Sequence, residues 1–103
     1  MSYHFPKTSV VVTAVTDFPA VPQALAGEEM TEWAFVHTGA AGVIEYSFDT
    51  INPPLLKVVH GSMTIGTDTS SMVERCKDRS VWFRRQAAGA GICSCDVFGA
   101  RTT

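Results

Sequence analysis

The sequence predicts an all-β fold, an antiparallel β-sandwich (jelly-roll-like or Ig-like) of six to eight short strands. Three observations carry this expectation. β-branched and aromatic residues arrive in short runs, with Gly, Pro, Asp, Asn and Thr between them. The runs recur at roughly 8–12 residues, the rhythm of sandwiches and barrels. No helical pattern of roughly 10–15 residues separates them, which argues against a parallel α/β sheet. At 103 residues the chain has room for a single domain, residues 1–103, with one modest core.

The elements follow in order. Residues 1–7 are expected as a mobile N-terminal arm, and residues 99–103 as a second mobile tail. Residues 9–15 (SVVVTAV) form a strand candidate, broken by Pro19 and Pro22, which cannot donate to a central ladder. Residues 23–27 (QALAG) suit one helical turn ended by Gly27. Residues 31–38 and 42–49 flank the small turn Gly39-Ala40-Ala41 and are expected to pair as a hairpin. In the second of these, Ile44, Tyr46 and Phe48 share one face and Glu45, Ser47 and Asp49 the other. Pro53-Pro54 makes residues 50–54 a loop. Residues 55–65 (LLKVVHGSMTI) read as one strand with a break or bulge at Gly61. Residues 66–71 read as a turn, and residues 71–77 fit a helical turn or an irregular strand equally. Residues 80–86 (SVWFRRQ) form a strand, residues 87–91 a small-residue turn, and residues 91–99 (GICSCDVFG) the last strand. On that strand Cys93, Cys95 and Val97 share one face, and Ile92, Ser94, Asp96 and Phe98 the other.

Composition narrows the function classes. Only 17% of residues are charged against 46% hydrophobic, so the chain is globular, not disordered. So few charges on so small a domain predict apolar surface buried against a partner, and hence a homo-oligomer. A net charge of −2 argues against nucleic-acid binding, which needs a basic footprint. The one basic cluster, Arg75, Lys77, Arg79, Arg84 and Arg85, is interrupted by Glu74 and Asp78 and reads as a solvated edge. No run approaches the ~18 apolar residues of a membrane span. The start, Met1 to Pro6, lacks the charged and apolar regions of a signal peptide. Three cysteines then point to thiols in a reducing compartment.

No constellation points to catalysis or metal binding. Cys93-x-Cys95 would sit about 7 Å apart on one strand face, the far limit for a disulfide. The spacing is not that of a zinc site, which would also need Cys76 and a histidine to converge; buried apolar thiols are expected instead. His60-Gly61-Ser62 places a histidine near a serine in sequence, but strand neighbours face opposite ways. Glu28-Glu29 reads as solvated charge, and Glu45 and Asp49 lie too far apart along a strand to share a proton. Gly39-Ala40-Ala41-Gly42 and residues 87–91 lead into no helix that could cradle phosphate. The aromatic residues Trp33, Phe35, Tyr46, Phe48, Trp82 and Phe83 read mainly as core, with Trp82 facing out as an interface anchor. No catalytic residue, metal ligand or cofactor is expected. The candidate partner-interface residues are Trp82, Arg84, Arg85, Pro53, Pro54 and Phe5.

The strand Glu45-Tyr46-Ser47-Phe48-Asp49, then Val81-Trp82-Phe83-Arg84-Arg85 and a closing Gly-rich strand, resembles small virion proteins of tailed bacteriophages. There a Gly-rich hairpin gives an "EYSFDG" strand, then a loop, a "WFR" strand and a "GSG-x-V-x-V" strand. The corresponding stretches here are residues 42–49, 80–85 and 89–98. The resemblance spans residues 33–98 and rests on strand patterns, not chemical signatures. Thr50 stands where a Gly usually closes the turn, and Cys93 and Cys95 where β-branched residues are commoner. The resemblance implies a β-sandwich that decorates or cements a capsid, or sits in the neck or tail, commonly as a trimer or ring. It implies as partners its own copies and a major capsid or other virion protein, and as location the virion, after synthesis in a bacterial cytoplasm. It carries over no catalytic residue. In this reading the arm 1–7 and Pro53-Pro54 reach towards a neighbouring subunit. Two rival classes are a sugar-binding module using Trp82 and Trp33, and a cupin-like enzyme, for which His4, His37 and His60 are not suitably spaced.

Overall fold

A computed structural model describes the backbone of residues 2–25, 30, 32–39, 42–64, 68–73, 80–86 and 91–102. It describes the side chains of these residues apart from 2–6, 68–73 and 101–102. The strands are β1 (Ser2–Val11), β2 (Ala24–Leu25), β3 (Glu32–His37), β4 (Ile44–Ser47), β5 (Gly61–Met63), β6 (Asp68–Val73), β7 (Ser80–Arg85) and β8 (Ser94–Thr102). They form two four-stranded sheets, in the orders β1-β8-β3-β6 and β2-β7-β4-β5. Every named strand pair is antiparallel.

The order has a simple origin. β1 pairs with β8, β2 with β7, β3 with β6 and β4 with β5. These are four nested antiparallel pairs, as in one long hairpin rolled up so that alternate pairs fall in opposite sheets. That is the jelly roll, one of the two sandwich types the sequence left open.

The interior is built by alternation. Trp33 and Phe35 of β3 and Cys95 and Val97 of β8 face Ile44 and Tyr46 of β4 and Val81 and Phe83 of β7. Phe35 is the hub: its ring centroid lies 4.7 Å from that of Tyr46 and 5.5 Å, edge-on, from that of Phe83. Such aromatic pairs add about 0.5–1.5 kcal/mol each beyond their burial. Phe18 and Trp82 are also buried but stand outside this cluster.

Several expectations are corrected. Residues 31–38 and 42–49 do not form a hairpin: β3 and β4 lie in opposite sheets. Their apolar sides face each other across the core, and the chain crosses at Gly42, whose φ of +93° favours glycine. The His37 ring bonds the Gly42 carbonyl through Nε2 at 2.9 Å and ties the crossing. Residues 55–65 are not one strand, since Pro54–Leu56 is a 3₁₀ turn and β5 starts only at Gly61. Gly61 is not a bulge. It sits opposite Tyr46 in the ladder, and a Cβ there would meet the Tyr46 ring, 2.6 Å from Cζ.

Ala24 and Leu25 form a strand where a helical turn was expected, because β7 offers them a partner. The turn expected over residues 66–71 overlaps β6, which runs as a strand from Asp68; residues 65–67 and 74–79 lie outside the described residues. Residues 2–5 of the expected arm and 99–102 of the expected tail are paired with each other, from Ser2 opposite Thr102 to Phe5 opposite Gly99; residues 1 and 103 lie outside the described residues.

Candidate functional site

The loop between β4 and β5 is the most distinctive surface of the described residues. It begins where Ser47 Oγ accepts the Asp49 N–H at 3.0 Å. The Asp49 carboxylate then organises the next nine residues. Its Oδ1 accepts the N–H groups of Ile51 and Asn52 at 2.9 and 3.0 Å. Its Oδ2 accepts the Asn52 side-chain amide at 2.8 Å and the Val58 N–H at 3.0 Å. Asp and Asn suit such turns because a short polar side chain can replace backbone partners. The Asn52 backbone N–H, then its side-chain amide, then the N–H groups of Val58 and Ile51 hold this carboxyl well below the usual carboxylate range.

Lys57 closes the loop from inside. Its Nζ donates to the carbonyls of Asp49 and Asn52, at 2.6 and 2.9 Å. The same ammonium lies 3.9 Å from the centre of the Trp82 ring, within cation–π range. At the base, His60 Nδ1 accepts the Phe48 N–H at 3.1 Å, and the His60 N–H donates to the Tyr46 carbonyl at 2.9 Å.

With the Asp49 carboxylate and the Lys57 ammonium bonded within it, the loop presents apolar side chains to solvent. Ile51 is 89% exposed, Leu55 66%, Leu56 65% and Val58 55%. Beside them lies an open groove of about 370 Å³, with Phe48, Ile51 and Val58 as its apolar lining and Asp49, Thr50, Asn52 and His60 as its polar lining. Large apolar side chains exposed together mark interaction surfaces more often than chance.

The structure separates the sequence-named residues. Pro53 and Pro54 lie in this loop, Pro53 exposed and Pro54 opening the 3₁₀ turn. Trp82 does not face solvent: it points outward from β7 but is only 7% exposed, beneath Lys57. Trp33 is fully buried. A sugar platform made of these two tryptophans is therefore ruled out. Arg84 is structural, since its Nε donates to Glu45 at 2.8 Å, its Nη1 to the Thr16 carbonyl, and its guanidinium covers the Phe18 ring. Arg85 is half-buried at the far end of β7, near Cys93. The Phe5 side chain lies outside the described residues.

Sequence reasoning missed Ile51, Leu55, Leu56 and Val58. The available signal was apolar residues crowded around a Pro-Pro pair that excludes regular pairing.

The described thiols are inert. Burial pushes the Cys95 thiol up to about 12, and burial also raises Cys93 despite the opposing charge of Arg85. Among the described residues, no three His, Cys, Asp or Glu side chains converge as metal ligands would. Comparison with protein-family models, with curated proteins and with solved structures gives no match to this chain.

Proposed function

We propose that this chain is a non-enzymatic structural protein of a tailed-bacteriophage particle whose copies dock on one another through the loop over residues 49–60. Its first role in this reading is capsid decoration or cement, and its second a neck or tail component. The observation that carries the docking role is a set of exposed apolar side chains on a loop whose two charged side chains, Asp49 and Lys57, are already paired within it. A loop braced in this way loses little conformational entropy on binding, so burial of those side chains converts efficiently into affinity. The jelly roll is compatible with this role, because viral capsid domains use it; so do lectins and cupins, and fold alone does not choose among them. The phage assignment draws its support from the resemblance of residues 42–49, 80–85 and 89–98.

The test is quantitative mass spectrometry of gradient-purified particles from the phage or prophage encoding the chain. A copy number matching the major capsid protein supports decoration, and a few copies per particle support a neck or tail position. Absence from purified particles overturns the reading.

A further inference from the structure

Resting on that reading, we infer that residues 51–59 form a two-fold, self-complementary interface between two copies of this chain. Three features select a second copy over other partners. The first is charge. Asp49 and Lys57 carry the charge of the loop itself, and both are satisfied within it. The surface therefore asks for no opposite charge, and a neutral apolar partner fits it; another copy of the same patch is one.

The second feature is shape. A closed two-fold contact requires knob and socket on the same patch, whereas separated ones generate rings or filaments. Ile51, the most exposed large apolar residue of the loop, is at once a projecting side chain and part of the groove lining. A two-fold axis through the loop places each copy's Ile51 against the other's groove, whose volume of about 370 Å³ is ample for an aliphatic side chain.

The third is area. Ile51, Leu55, Leu56, Val58 and Val59, at their degrees of exposure, offer on the order of 500–600 Å² of surface, a large share of the ~800 Å² each partner gives to a stable interface. The contact is of modest size and exchanges with monomer on dilution.

Light scattering behind a sizing column, over a concentration series, tests this. The wild type is expected at about twice its 11.1 kDa when concentrated, falling towards monomer on dilution. Leu55→Asp/Leu56→Asp stays monomeric at every concentration with an unchanged circular-dichroism spectrum; if that pair fails to fold, Ile51→Asp replaces it. Ile92→Asp, exposed just ahead of β8 in the other sheet, still dimerises. A wild type that is monomeric throughout, a trimer or larger ring, or a dimer that survives the loop variants overturns the inference. Particle content distinguishes the two proposals. A monomeric chain still found in purified particles defeats the dimer alone, and a dimeric chain absent from particles defeats only the virion role.

Discussion

On β8 the outward-pointing Ser94 and Asp96 are half-buried and Phe98 is exposed, whereas on β7 the outward-pointing Ser80 and Trp82 are buried. Both strands alternate inward and outward residues, and both are flanked by partners on either side. The difference lies in what crosses over them. Residues 16–18 and the β4–β5 loop fold across the outer face of the second sheet, joined where the Phe18 N–H donates to the Pro54 carbonyl at 3.4 Å. Among the described residues, nothing comparable covers the first sheet, where Val11 and Ile92 remain exposed. Alternation thus separates inside from outside, but a covered outer face behaves energetically as a second, smaller core.

Among the described residues, each face also carries one ion pair. On the covered face Arg84 and Glu45 meet at 2.8 Å with side chains 19% and 17% exposed. On the open face Lys7 and Asp96 lie 3.9 Å apart, with Lys7 60% exposed. Shielding from water strengthens the first pair and raises the cost of breaking it.

The contrast can be broken at several points. Trp82→Ala should cost ~3–5 kcal/mol, as for a buried aromatic residue, while Phe98→Ala on the open face should cost under ~1 kcal/mol; urea unfolding of both variants measures the gap. Equal losses would erase the distinction between the faces. Next in size, Arg84→Ala is expected to lose about 2–3 kcal/mol, because Glu45 is left partly covered with no counter-charge and only the long 3.5 Å bond from Gln86. Lys7→Ala should stay within about 0.5 kcal/mol, and high salt should weaken only the Lys7 pair appreciably.

A smaller effect belongs to Asp49, which holds the cover in place through the loop. Its carboxyl is depressed in the folded state. Its contribution is therefore complete above the unfolded value of ~3.9 and is lost as pH falls from there towards the folded value. Asp49→Asn should lower the urea midpoint at neutral pH and show a flatter decline than the wild type on acidification below pH ~4. The same variant should raise acrylamide quenching of tryptophan fluorescence, because Trp82 loses its lid while Trp33 stays in the core. Unchanged quenching would mean that the loop keeps its place without Asp49.

Much of this was legible in the sequence. The inward set Cys93, Cys95 and Val97 follows from strict alternation, as does the opposition of Tyr46 and Phe83 to solvent. The pairing of strands was not legible, for a physical reason. Two strands with matching apolar sides can lie side by side or face to face, and a small-residue turn such as Gly39 to Gly42 permits either. The site was hidden by a similar ambiguity. Leu55, Leu56, Val58 and Val59 look like a buried strand in composition, yet all four are exposed, since Pro53 and Pro54 remove the ladder donors that would have fixed them in a sheet. Trp82 was misplaced for the converse reason: what covers it comes from residues 25 positions or more away in the chain.

The nested pairing also sets an order of events in time. In the sheet β1-β8-β3-β6 the strand β8 is the link between β1 and β3, so β1 waits without a ladder partner until the ribosome has made residues 94–102. The other sheet needs nothing beyond Arg85. A chain truncated after Gln86 and carried clear of the ribosome on an inert C-terminal tether should therefore hold a formed β2-β7-β4-β5 sheet while protease still cuts within residues 2–11, and the complete chain should resist that cleavage. Long-range closure of this kind is slow. For that interval β1 lies with its ladder edge open to neighbouring chains, and the emergence of β8 ends the period when the protein is most exposed to aggregation.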